Sequence, residues 1–122
     1  SCEFTLSIMI QKPDKGGIFE YCPNIREPGN ENFEEVRNVI NGDRSRVRQL
    51  ILEPGDLQIF KGRFTLHRVT KVEGDSSRYL CIPAYVLDPW RVNTPKHSKA
   101  IYGKVLPIHI ERNKERSDGL AD

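Results

Sequence analysis

His67 and Arg78 are the residues of this 122-residue chain whose types and placement best allow chemistry. His67 lies in Leu66-His67-Arg68-Val69-Thr70, an alternating run that reads as a strand. A neutral imidazole there can bind a metal through one ring nitrogen, or serve as an ordinary core or surface histidine. Arg78 shares its parity with Leu80 and Ile82, so all belong to one face of a strand. A guanidinium on an interior face needs an anion, and its planar fork grips a carboxylate through two bonds. An exposed arginine at a strand end is the plainer alternative. His109 and Glu111 form a His-x-Glu pair on a run read as a terminal strand, where both share a face and make a two-ligand metal half-site. His97, in Pro95-Lys96-His97-Ser98, reads as loop-borne and solvated.

The elements that position these residues are mostly strands. Glu3 to Gln11 is rich in β-formers, and Pro13-Asp14-Lys15-Gly16-Gly17 is a turn signal. Ile18 to Tyr21 makes a short strand closed by Pro23. Asn32 caps the one clear helix, with Glu35 as its capping-box partner. Phe33, Val36, Val39 and Ile40 form its apolar stripe, and Asn41-Gly42 stops it. This helix, near residues 32–41, is expected to cover one edge of a sheet. Gln49 to Leu52, Asp56 to Phe60, Leu66 to Val72 and Arg78 to Val86 are four more strands, separated by Pro54-Gly55, Gly62 and Gly74-Asp75-Ser76. Closely spaced strands with turn signals predict a sandwich or barrel. Residues 90–110 read as irregular outer wrapping, and the segment from Arg112 as a polar, frayed tail.

The length suits one domain with a modest core, since 37% of residues are hydrophobic. A net charge of +2 gives no steer to nucleic acid or membrane. The run Leu6-Ser7-Ile8-Met9-Ile10 is far too short to span a bilayer. Arg44, Arg46 and Arg48, and Lys61 with Arg63, lack interleaved aromatics and are diluted by Asp43 and Asp56, which argues against nucleic-acid binding. Cys2, Cys22 and Cys81 match neither a zinc spacing nor a disulfide framework, and read as free thiols of a cytoplasmic protein. No glycine-rich phosphate loop, nucleophile elbow or Cys/His catalytic signature is present. The sequence opens directly into a strand pattern, so it is expected to be part of something longer.

Taken in order, four motifs resemble the catalytic core of the iron(II)/2-oxoglutarate-dependent oxygenases over roughly residues 3–90. They are Gly16-Gly17-Ile18-Phe19-Glu20-Tyr21, Pro54-Gly55-Asp56-Leu57-Gln58-Ile59-Phe60, Leu66-His67-Arg68-Val69, and Arg78. Glu20-Tyr21-Cys22-Pro23-Asn24-Ile25-Arg26 and Gly62-Arg63-Phe64-Thr65-Leu66-His67-Arg68-Val69-Thr70 are most similar to the branch that hydroxylates or halogenates free amino acids. The resemblance implies a double-stranded β-helix, a cupin-like jelly roll, occupying residues 1–111 in part, with a flexible tail at 112–122. It places the His67 and Arg78 strands in opposite sheets, both facing one cavity. It implies iron(II) on two histidines and a carboxylate, leaving three open positions, two of them for 2-oxoglutarate. His67 is then the distal metal ligand and Arg78 the partner of the cosubstrate's distal carboxylate. Asn24, Arg26, Asp88 and Trp90 are implied to line the mouth for a small, amino-acid-like substrate.

One departure from the family pattern matters. Its other two ligands come from a His-x-Asp motif before the Gly-Gly turn, and no His-x-Asp occurs in these residues. The chain by itself is therefore expected to bind no catalytic metal and to have no turnover. Aspartate in the missing motif implies hydroxylation, whereas glycine or alanine leaves a position for halide and implies halogenation. An exposed sheet edge is expected to pair two copies as a homodimer. Two alternatives stand beside the enzyme reading: a non-catalytic jelly-roll module for a small anion, and a structural or interaction domain.

Overall fold

A computed structural model describes residues 4–114 and 117–120. In chain order its strands are β1 (Phe4–Gln11), β2 (Lys15–Gly16), β3 (Phe19–Cys22), β4 (Arg48–Leu50), β5 (Leu57–Phe60), β6 (Leu66–Val69), β7 (Val72–Glu73), β8 (Tyr79–Cys81) and β9 (Ala84–Tyr85). The helices are α1 (Phe33–Ile40), α2 (Pro95–Tyr102) and α3 (Pro107–Glu111).

β1 is the spine of the main sheet. It pairs antiparallel with β5 on one side and with β8 and β9 on the other. A second antiparallel sheet has the order β4-β3-β6, and β2 with β7 forms a two-stranded ribbon. The chain is thus mostly β, in several antiparallel sheets, and among the described residues these do not close into a barrel.

Alternation sets which side chains meet between the sheets. Ser7, Met9 and Gln58 are buried on one face of the main sheet, and Phe60 shares that face. Phe60 meets Phe19 of β3 with ring centroids 5.2 Å apart. Phe19, Tyr21 and His67 therefore form the inner face of the second sheet, and Glu20, Cys22, Leu66 and Arg68 its outer face. The opposite face of the main sheet is apolar and open. Ile10, Leu57, Ile59 and Tyr79 are exposed there, and Phe4 stacks on Tyr85 at 4.9 Å.

Several elements differ from the sequence reading. The run 66–72 divides because Thr70 turns back to Ile18: its N–H donates to the Ile18 carbonyl, and its Oγ1 accepts from the Ile18 N–H at 3.0 Å. The run 78–86 divides at Ile82-Pro83, where proline has no N–H for a ladder. α1 forms as expected, but Asn32 is not its side-chain cap. Asn32 is left-handed (φ 51°) and its Nδ2 donates to the Ile25 carbonyl at 2.9 Å. Glu35 pairs with Arg46 at 3.1 Å instead of closing a capping box.

Residues 90–110 are not irregular, because two short helices form there. Thr94 Oγ1 accepts from the His97 N–H at 3.2 Å, Pro95 opens α2 and Gly103 ends it. His97 is thus helical rather than loop-borne. His109 and Glu111 lie on α3, where positions two apart do not face each other. His109 Nδ1 is occupied in accepting from the Leu106 N–H at 3.1 Å, so the His-x-Glu half-site is not formed. Residues 117–120, expected to belong to a frayed tail, are held down. Arg63 donates to both Asp118 carboxylate oxygens and to the Leu120 carbonyl, and Leu120 is buried.

Candidate functional site

β6 carries His67 opposite Tyr21 of β3. Its ring sits 5.6 Å from Phe19 and 5.0 Å from Phe60, edge-on to the latter. Nδ1 lies 2.7 Å from the Thr65 carbonyl oxygen. A carbonyl can only accept, so Nδ1 carries the proton and Nε2 of the neutral ring keeps its lone pair. That is the tautomer a metal ligand requires, fixed by a backbone partner in the way metal-binding imidazoles usually are. Gly62 makes room for the ring, since a Cβ built there would stand 3.3 Å from His67 Cε1.

Arg78 enters from the main sheet just before β8. Its stem crosses Gly17, where a Cβ would stand 2.8 Å from Arg78 Cδ and 2.7 Å from Pro13 Cγ. Gly17 also has φ +64°, so glycine suits both the backbone and the passage of the arginine. The guanidinium is half-buried, and burial pulls its pKa below the usual arginine value. Arg78 Nε is buried and meets no hydrogen-bond acceptor. It borders a small recess of about 20 Å³ lined by Met9, Gly17, Leu50 and Leu52. A half-buried cation with a buried, unanswered N–H is the expected counterpart of a carboxylate.

His67 and Arg78 do not share one walled cavity. His67 is an exposed residue that borders the hollow of about 230 Å³ beside Val39 and Leu66, and it does not line the Arg78 recess. They border the same layer between the sheets: Phe19 touches His67, and Leu50, paired with Phe19 across β3 and β4, lines the recess. Among the described residues no group of three His, Cys, Asp or Glu side chains could hold a metal ion. His67 could therefore give a metal one donor only, whereas Arg78 could take a carboxylate.

The four mouth residues are not brought together around this layer. Asn24 is exposed in a left-handed turn (φ 52°), and Arg26 pairs with Glu31 at 2.7 Å. Asp88 and Trp90 line a separate hollow of about 330 Å³ with Arg91, Arg112 and Lys114. The Arg112 guanidinium stands 5.8 Å above the exposed Trp90 ring.

Reading the sequence misses the role of Glu20. This buried carboxylate receives Arg44 at 2.5 Å, Arg68 at 2.7 Å and Gln49 Nε2 at 3.0 Å. Hydrogen bonds from Gln49, Arg68 and Arg44 hold its pKa down to about 2, against the opposing effect of burial. The signal was available in cross-strand pairing, because Glu20 stands opposite both Arg68 and Gln49.

The chain is thus mostly β, with an imidazole whose Nδ1 faces a backbone carbonyl and a half-buried arginine whose Nε meets no acceptor. The family model for halogenase D (HalD) matches residues 2–97, and the chain belongs to that family. No curated protein and no solved structure matches it. No helix among the described residues is long and apolar enough to cross a membrane.

Proposed function

We propose that the chain is the cosubstrate-holding part of a non-haem iron(II)/2-oxoglutarate enzyme that halogenates or hydroxylates a small, amino-acid-like substrate. The family match supports the halogenase side of this reading. The observation that carries the cosubstrate assignment is the buried, unanswered Nε of Arg78. When bound, iron with 2-oxoglutarate supplies the oxidising power for substitution at an unactivated carbon. This chain's residues prepare for that chemistry without performing it. Arg78 binds the distal carboxylate, and Gly17 holds the arginine stem in its channel. Thr65 fixes the His67 proton on Nδ1 and leaves the Nε2 lone pair as one metal donor. Phe19 and Phe60 wall the imidazole with apolar surface.

One imidazole cannot hold iron against water, so two further donors are needed beyond the described residues. Among the described residues no such donors stand beside His67, so these residues alone are expected to bind no catalytic iron and to turn nothing over. The same geometry then acts as a dicarboxylate-binding module. NMR titration of the chain tests the assignment without metal. 2-Oxoglutarate and succinate should perturb Gly17 and Leu80, 2-oxobutyrate should not, and Arg78→Gln should abolish the response. Equal dicarboxylate binding by the Arg78→Gln chain would overturn it.

A further inference from the structure

We propose that the hollow beneath α1, on the outer face of the β4-β3-β6 sheet, is a second binding site, which takes a short aliphatic carboxylate. The last turn of α1 overhangs this face without closing on it, and no α1 residue is buried. Between them lies a hollow of about 230 Å³ lined by Cys22, Val39, Ile40, Val47 and Leu66, with Arg44, Arg68, Tyr21 and His67 also bordering it. At about 30 Å³ per water-sized group, it has room for about seven or eight such groups. A six-carbon carboxylate fits that count.

The charge at the hollow selects the sign of the ligand. Glu20 is the carboxylate on its wall, and its oxygens are taken by Arg44, Arg68 and Gln49. Two guanidinium groups against one carboxylate leave a local excess of positive charge. Both arginines remain partly exposed, with side-chain exposures of 43% and 66%, so each keeps N–H groups to offer. The Cys22 thiol, pushed up by burial, stays neutral and does not repel an anion. An ammonium head would meet two cations and an already satisfied carboxylate. An apolar tail would lie along Leu66, Val39 and Val47, above the buried Cys22. Leu66 and Arg68 alternate with His67 along β6, and His67 with Tyr21 also borders the hollow, so the site adjoins the imidazole while lying apart from the Arg78 recess.

Hexanoate titrated into the chain and followed by methyl NMR tests this directly. Saturable shifts are expected at Val39, Ile40 and Leu66, with affinity about tenfold above that of hexan-1-ol. Hexylammonium and acetate should give no saturable shift. Val39→Trp, which fills the hollow, should abolish binding, whereas Arg78→Gln should leave it unchanged. The proposal is overturned if hexanoate gives no saturable shift, if hexylammonium binds equally, or if the shifts move to Leu52 and Leu80 and vanish with Arg78→Gln. If Val39→Trp does not fold, the comparison of the four probes on the unaltered chain still decides.

Discussion

Gly17 lies directly beneath the Arg78 side chain, so close that a Cβ at Gly17 would stand 2.8 Å from Arg78 Cδ. The turn after β1 and the arginine just before β8 are thereby coupled, though they lie 61 positions apart in the sequence. Gly17→Ala must both enter a left-handed conformation and displace the arginine. A loss of about 2 kcal/mol in denaturant unfolding is expected, together with weaker 2-oxoglutarate binding. Unchanged binding would mean that Gly17 does not seat Arg78.

Glu20 gives the chain an acid-sensitive cluster. Its folded pKa is about 2, against an ordinary glutamate value of 4.5. The folded state therefore keeps the carboxylate charged where the unfolded chain takes up a proton. The stabilisation is complete above about pH 4.5 and is lost as pH falls towards about 2. Glu20→Gln should flatten that part of the stability-versus-pH curve and cost about 1–2 kcal/mol at neutral pH, tempered by the exposure of the two arginines. Thermal unfolding from pH 7 to pH 2 checks both.

Arg63 clasps residues 118–120 onto the turn that precedes β6. Its side chain is 6% exposed and that of Asp118 13%, so removing one partner leaves a buried charge. Arg63→Ala should destabilise the chain by about 2–4 kcal/mol in chemical denaturation. An effect below about 0.5 kcal/mol would show that the clasp is dispensable.

Outward side chains of the main sheet, from Ile8 and Ile10 to Leu57 and Ile59, carry no charge, and β5 stands at the sheet's edge. An open apolar face beside a free edge favours pairing with a second copy. Sedimentation equilibrium should show the average mass rising with concentration, and Ile59→Lys should reduce that rise. A monomer at every concentration would contradict this expectation.

How far the sequence discloses this molecule depends on where the physical signal is local. Alternation in Leu57–Phe60 and Leu66–Val69 marks strands and their inner faces, and the stripe from Phe33 to Ile40 marks α1. The Thr94-Pro95 start and Gly103 stop of α2 are also written locally, but the segment lacks an apolar period strong enough to announce a helix. Asn32 fails as a cap because the Ile25 carbonyl, seven residues earlier, claims its side chain. Parity alone places Arg78 on an inner face. Nothing local reveals that Phe19 and Leu50 intervene between its recess and His67, since that depends on how the two sheets meet.

The most direct test is to locate 2-oxoglutarate on the chain by intermolecular NOEs from its methylene protons. Contacts to Arg78 Hδ and the Phe19 or His67 ring are expected, which would place the keto acid between the sheets with one carboxylate on the guanidinium and its keto end towards the imidazole. Contacts confined to the outer face, around Arg44 and Arg68, or the absence of any contact to Arg78, would contradict the account.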